Sequence, residues 1–276
     1  MVPSPFNVHL DTRDRCGVYM SVAEANDCGK NLLMGTKKKT SRRILVLDVG
    51  GSHVKFLLSG QRKEQRFVSG PTLTAAQMVR TVRKLVDRSE YDAVSIGYPG
   101  LVFGGRIAAE PFNLGRGWLG FDFEAAFGKP VRLINDAAMQ AVGSYTGGRM
   151  LFLGLGTGMG ATLILDGIVE PMELGHLPYK HGRTFEDYVG ERGLRRLGKK
   201  KWRKVVAQVV EHLSRALEVD YVVLGGGNAR RLKKLPPLSR LGDNSNAMAG
   251  GRIIWEMDNP LHLDPKYRAG PHAAKS

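Results

Sequence analysis

Ile44-Leu45-Val46-Leu47-Asp48-Val49-Gly50-Gly51-Ser52-His53-Val54-Lys55 is the stretch on which the fold turns. Its opening apolar run is too short for a buried helix and reads as a buried strand. The paired glycines let the backbone turn sharply and approach a ligand. Amides freed in such a turn, together with Ser52 and Lys55, can face phosphate oxygens. Asp48 would repel a phosphate unless a cation lay between them, so the stretch points to Mg2+ at Asp48, directly or through water. Taken alone, an ordinary hairpin with a glycine turn explains it equally well.

Leu151-Phe152-Leu153-Gly154-Leu155-Gly156-Thr157-Gly158-Met159-Gly160-Ala161-Thr162-Leu163-Ile164-Leu165 repeats the outline of strand, glycine turn with a hydroxyl, and strand. Gly154 stands where the first stretch has its acid. Two such hairpins, about one small domain apart, predict a duplicated architecture with the ligand between two lobes. Neither is a P-loop, because lysine and a hydroxyl residue do not follow the last glycine.

The chain has 276 residues, 42% of them hydrophobic, enough for two lobes with a sizeable core. No apolar run approaches the ~20 residues of a membrane span, so no membrane partner is expected. No compact apolar leader segment is evident, and the only cysteines are Cys16 and Cys28. A reducing, cytoplasmic setting is the expectation. The net charge of +15 calls for an anionic partner, nucleic acid or a phosphate polymer, or else only a solvated basic surface.

Residues 1–42 show no sustained period and read as a flexible arm. Met34-Gly35-Thr36-Lys37 would make a natural start, which would leave the upstream part non-native. Lys63–Phe67 reads as a short strand. Thr74 reads as the cap of a helix whose core face is Met78, Val79, Val82, Leu85 and Val86. The strand Asp92–Ile96 runs into Gly97-Tyr98-Pro99-Gly100, where α/β proteins place ligand loops. The loop 110–118 carries Asn113, whose amide could bind hydroxyl groups or make a structural turn. The strand Val131–Ile134 ends in Asn135-Asp136. A carboxylate there, at a helix start, can accept a proton from a substrate hydroxyl or simply cap the helix. Glu173, His176 and Glu186 could converge on a polyhydroxylated ligand; Glu173 and His176 could also be half a metal site, or lie in a surface loop. From Gly190 the chain is strongly basic, through Lys200 and Lys201, before an amphipathic helix marked by Val206, Val209, Val210, Leu213 and Leu217. The strand Tyr221–Leu224 ends in Gly225-Gly226-Gly227-Asn228, with Arg230, Arg231, Lys233 and Lys234 next. Basic clusters beside glycine turns suit a polyanionic donor.

These pieces together resemble the ROK family of sugar kinases and repressors, over about residues 43–255. Asp48 to Lys55 resembles its first phosphate motif, Asn135-Asp136 its catalytic pair, Leu155 to Gly158 its second phosphate loop, and Glu173-Leu174-Gly175-His176 its sugar motif. Ser69-Gly70-Pro71-Thr72, Leu177-Pro178-Tyr179, Thr184 to Gly190, Lys199 to Arg203 and Gly242 to Asn246 are most like the polyphosphate-using glucokinases of that family. The resemblance implies an α/β, two-lobed actin-like ATPase (ribonuclease H-like) fold. It divides the chain into an arm (1–42), a small lobe (43–135), a larger lobe (136–251) and a C-terminal element with a tail (252–276). It implies phosphoryl transfer from polyphosphate, with ATP as a further donor, to the 6-hydroxyl of glucose. Asp136 is then the general base, and Asn113, Asn135, Glu173, His176 and Glu186 hold the sugar. Asp48, Gly50, Gly51, Ser52, Lys55, Gly156, Thr157, Gly158, Gly225, Gly226, Gly227, Lys200 and Lys201 face the donor, with Mg2+ at Asp48. Many members carry a cysteine-rich zinc motif after the sugar motif; this chain has none, so zinc is not expected. Repressor members begin with a helix-turn-helix, which residues 1–43 do not match, so nucleic acid is not the expected partner. A homodimer is implied. The alternatives are an ATP-dependent kinase for another hexose, such as mannose, and a sugar-responsive regulator without catalysis.

Overall fold

The computed structural model describes residues 42–243, 245–257, 259, 261 and 262. The expected arm, apart from Arg42, the Met34 start and both cysteines lie outside the described residues, as does the tail beyond 262.

The chain opens with β1 (Ile44–Val49), β2 (His53–Leu58) and β3 (Gln65–Val68), followed by α1 (Ala75–Leu85) and β4 (Ala93–Tyr98). A short hairpin of β5 (Val102–Phe103) and β6 (Arg106–Ile107), then α2 (Phe123–Phe127), lead to β7 (Val131–Asn135) and α3 (Asp136–Ser144). The same sequence of events recurs with β8 (Arg149–Leu155), β9 (Met159–Leu165) and β10 (Ile168–Met172). A small hairpin of β11 (Pro178–Lys180) and β12 (Arg183–Thr184) precedes α4 (Phe185–Val189) and α5 (Glu191–Ala216). β13 (Tyr221–Gly225), β14 (Ser239–Leu241) and α6 (Asn246–Ile253) complete the order.

Among the described residues the long strands form two five-stranded sheets, ordered β3-β2-β1-β4-β7 and β10-β9-β8-β13-β14. In each, an antiparallel meander is extended by two parallel strands. The duplication inferred from the two glycine hairpins is therefore a repeat of whole-sheet topology.

Strand parity explains how the layers stack. Successive strand residues face opposite sides. Leu45, Leu47 and Val49 enter an outer core with α1 and α2, whereas Ile44 and Val46 enter a central one. Likewise Leu151, Leu153 and Leu155 pack under α4 and α5, whereas Met150 and Phe152 face the centre. That centre is filled by α3 and α6, which lie between the two sheets. They cross closely because Gly143 and Gly250 leave no room for a Cβ against the backbones of Asn246 and Met139, and Gly251 lets α6 approach Val46 of β1 in the same way.

The expected boundary between 251 and 252 falls inside α6, and the residues on both sides of it hold to the first sheet. The Ser95 hydroxyl donates to the Gly251 carbonyl, and Trp255 Nε1 donates to Ser95 Oγ at 2.8 Å. Arg132 donates to the carbonyls of Ile254 and Met257. The Trp255 ring lies 5.0 Å from the Arg42 guanidinium and 4.8 Å from that of Arg132.

Smaller corrections concern helix faces. Thr74 does cap α1, in a reciprocal capping box with Gln77. Leu85, read as core, is 50% exposed, since α1 ends there and Val86 turns inward instead. The helix expected from Val206 begins at Glu191 and includes the whole basic run, kinked at Gly198 where φ is +70°. No helix among the described residues is long and apolar enough to cross a membrane.

Candidate active site

The carboxyl ends of β1, β4 and β7 lie side by side: Asp48 pairs with Gly97, and Gly97 with Ile134. Two residues beyond Ile134 stands Asp136, the first residue of α3. Strand ends of this kind, where parallel strands feed helices, are where open sheets collect ligands.

Asn135 is the N-cap of α3. Its Oδ1 accepts from Ala138 N at 3.1 Å, and its Nδ2 donates to the Gly100 carbonyl at 3.0 Å. The cap and the ligand loop at 97–100 are thus joined through one side chain. Asp136 Oδ1 accepts from Ala137 N at 2.7 Å. A helix N-terminus favours a charged carboxylate. Burial outweighs it here: desolvation, then the charge of Asp48, and in smaller part Glu173, push Asp136 up to about 7. Burial likewise raises Asp48 to about 6, against the pull of Lys55 across the β1–β2 ladder. Two half-buried carboxyl groups that ionise reluctantly, one repelling the other, offer oxygen ligands of the kind a hard divalent cation takes, although no three or more acidic, histidine or cysteine side chains gather as a metal site among the described residues.

The first glycine turn is held by its carbonyls. Gly50 N donates to His53 O at 3.0 Å. The buried Ser69 donates its hydroxyl to Gly50 O at 2.7 Å and its amide to Ser52 O at 3.1 Å. The amides of Gly51 and Ser52 donate to nothing among the described residues. Gly51 also makes room for Asn113, whose Cβ lies 3.0 Å from where a Cβ on Gly51 would be. Asn113 is carried by a loop folded around the Glu110 carboxylate, which accepts from Gly117, Trp118 and Leu119 N at 3.0, 3.2 and 3.3 Å. Those three amides hold Glu110 below the usual carboxylate range against the desolvation that would raise it.

The second glycine turn reaches the same place from the other sheet. A Cβ on Gly160 would come 3.0 Å from Ala137 Cβ, so β9 starts against the first turn of α3 beside Asp136. Glu186 lies on this turn, accepting from Met159 N at 3.2 Å and paired with Arg192 at 3.3 Å. Glu173 and His176, 3.6 Å apart and more than half exposed, sit on a short 3-10 turn, with the Glu173 charge felt at Asp136.

Other expected donor residues are placed differently. Gly225 is buried, and its missing Cβ makes room for the Phe152 ring; Gly226, at φ +80°, lies against the Leu155 carbonyl. Of the three, Gly227 opens into space. Lys200 and Lys201 are exposed on the second segment of α5, beyond the Gly198 kink. They lie nine and ten residues past Glu191, which touches the turn, with the Gly198 kink between. Ser69, Glu110, Glu191 and Asn228, which organise the turns, were not among the expected site residues. Ser69 and Glu110 stand inside loops that the sequence does mark, and Asn228 beside a triple glycine. The partners of Ser69, Glu191 and Asn228 lie far away in the chain, so spacing carried no signal, whereas Glu110 meets Gly117, Trp118 and Leu119 within its own loop.

The sequence pattern of the ROK family matches residues 44–193. Among curated proteins, the chain is 27% identical over 225 residues to a polyphosphate glucokinase of Mycobacterium tuberculosis, covering 72% of this chain and 83% of that one. A polyphosphate glucokinase of Mycobacterium leprae is 27% identical over 226 residues, covering 74% and 69%. Among solved structures, the inorganic polyphosphate/ATP-glucomannokinase from Arthrobacter sp. strain KM superposes with a TM-score of 0.66 at 23% identity, covering 77% of this chain and 97% of that one. A ROK family glucokinase from Streptomyces griseus, in complex with glucose and AMPPNP, gives 0.60 at 17% identity, covering 76% and 98%.

Proposed function

The chain belongs to the ROK family and has the two-lobed actin-like ATPase fold of its sugar kinases, and from that premise we propose that it transfers a phosphoryl group from inorganic polyphosphate, and from ATP, to the 6-hydroxyl of glucose. The observation that carries this reading is Asp136. It stands at a helix start where three parallel strands end, beside both glycine turns, with its carboxyl pushed to about 7.

A carboxylate titrating near neutral pH is matched to general-base work. Asp136 would accept the proton of the sugar hydroxyl as the oxygen bonds to the terminal phosphorus, while the bond from that phosphorus to the donor's bridging oxygen breaks. Asn113, Asn135, Glu173, His176 and Glu186 would hold the remaining hydroxyls; a site built this way rejects sugars lacking one of them. The amides of Gly51, Ser52, Thr157 and Gly158 would receive the phosphoryl oxygens, so that catalysis is mainly alignment and charge stabilisation. Asp48 would hold Mg2+, directly or through water, and the cation would neutralise donor charge next to the carboxylates. Lys200 and Lys201, exposed on α5 beyond the Gly198 kink, would meet a donor long enough to extend along that helix, which favours a polymer over a nucleotide for that contact. The family resemblance supports a homodimer in the cytoplasm.

The glucomannokinase name of one structural neighbour supports a second reading, in which mannose is also accepted. Sugar-6-phosphate formation from glucose and from mannose, with polyphosphate and with ATP, each with and without Mg2+, tests both readings. No product from glucose with either donor overturns the first.

A further inference from the structure

We infer that Asn228 is the positioning residue of the second glycine turn: its carboxamide turns the Gly156 carbonyl into the protein and so leaves the amides of Thr157 and Gly158 facing the donor. This rests on the reading that this turn receives the donor phosphates.

Asn228 is 6% exposed, directly after the triple glycine at the end of β13. Its Nδ2 donates to Gly156 O at 3.1 Å and to Glu191 Oε2 at 3.0 Å, and its Oδ1 accepts from Arg231 Nε at 3.0 Å. Its backbone N donates to Leu155 O at 2.9 Å. Both carboxamide protons are therefore engaged inside the protein, and Asn228 is no ligand itself.

Its effect is on the turn. Glu191 N donates to Gly156 O at 3.0 Å and to Thr157 O at 3.2 Å, while Gly156 N donates to Gly158 O at 3.1 Å. The carbonyls of Gly156, Thr157 and Gly158 are thus all engaged on the protein. The amides of Thr157 and Gly158 donate to nothing among the described residues. A turn with carbonyls held in and amides left out is an anion receptor, and its hold on an anion depends on the carbonyls staying in. Asparagine suits this place, since it offers two donors and an acceptor in one rigid plane. Glu191, held below the usual carboxylate range by Asn228 and Arg195, is charged and anchors the far donor.

Asn228→Asp keeps the shape and the acceptor for Arg231, but sets a carboxylate against both the Gly156 carbonyl and Glu191. Adding Glu191→Gln restores a donor–acceptor pair between 228 and 191 and leaves the clash at Gly156. Three proteins are compared: wild type, N228D and N228D/E191Q. Thermal unfolding, calorimetric binding of tripolyphosphate, and steady-state kinetics with donor and sugar each varied are measured. N228D is expected to weaken tripolyphosphate binding and raise the donor KM by about tenfold, with the sugar KM within about twofold. The double variant is expected to regain thermal stability but not donor affinity. The inference is overturned if donor and sugar KM rise together, if folded N228D binds tripolyphosphate like wild type, or if the double variant recovers donor affinity along with stability. Should N228D fail to fold, the double variant alone decides. If wild type phosphorylates no sugar, the kinase reading falls while the tripolyphosphate isotherms still decide the role of Asn228.

Discussion

Replacing Asp136 by asparagine removes a charge that the fold resists and the base of the proposed reaction, so activity and stability should move in opposite directions. The carboxyl is pushed from its ordinary 3.8 to about 7. Between those values the native state keeps the proton and the unfolded chain has lost it, so the unfolded state binds fewer protons and stability falls as pH rises. Each pKa unit corresponds to about 1.36 kcal/mol, which puts the ceiling on this cost at roughly 4 kcal/mol, reached above pH 7. Asparagine keeps an oxygen for the Ala137 amide and carries no charge. D136N should therefore unfold like wild type near pH 4 and be more stable by about 1–4 kcal/mol at pH 8. Turnover should fall by about 10²–10⁴-fold, the usual worth of a general base. Urea unfolding at pH 4.5, 6 and 8, without divalent cations, reads the first effect; sugar phosphorylation at pH 8 reads the second. A variant no more stable than wild type at pH 8, or equally stabilised at every pH, would refute the electrostatic reasoning, and retained turnover would remove Asp136 as the base.

Ser69→Ala frees the Gly50 carbonyl from its buried hydroxyl donor; stability should fall by about 1 kcal/mol, with the donor KM raised more than the sugar KM, as read by denaturation and steady-state kinetics. Glu110→Gln leaves one carboxamide oxygen where the carboxylate gathered three amides, so the Asn113 loop should loosen and the glucose KM rise while the donor KM holds. Reversing charge at Lys200 and Lys201 should raise the polyphosphate KM more than the ATP KM, and the gap should close in high salt; equal effects on both donors would mark these lysines as solvated surface only.

The parts legible in the sequence were those written in adjacent residues. Short apolar runs ending in glycine announced β1, β8 and β13, and Thr74 announced the start of α1. The features that the sequence hid depend on partners far along the chain. Asn228 meets Glu191 across 37 residues and Gly156 across 72. Gly250 of α6 lies against the Met139 backbone of α3, a close crossing that no local spacing announces. Nor does periodicity tell whether a helix packs on one sheet or, as α3 and α6 do, between two. Gly225 shows a second use of a glycine beside a strand end: its missing Cβ makes room for the Phe152 ring.

The charges of the site also bear on how ligands enter it. Asp48 and Asp136 resist ionisation, which favours a cation, while two turns offer amides that meet no partner among the described residues, which favours an anion. Neither ligand alone satisfies the place. A phosphate placed at the turns would repel the carboxylates, and a cation at Asp48 would leave the amides unmet. Each should therefore strengthen the binding of the other by the same factor, as linkage requires. Tripolyphosphate titrated by calorimetry should bind several-fold more tightly with Mg2+ present than in chelator, after correction for the Mg2+ that the free anion takes up. Equal affinities under the two conditions would mean that the carboxylates and the turns act as separate sites.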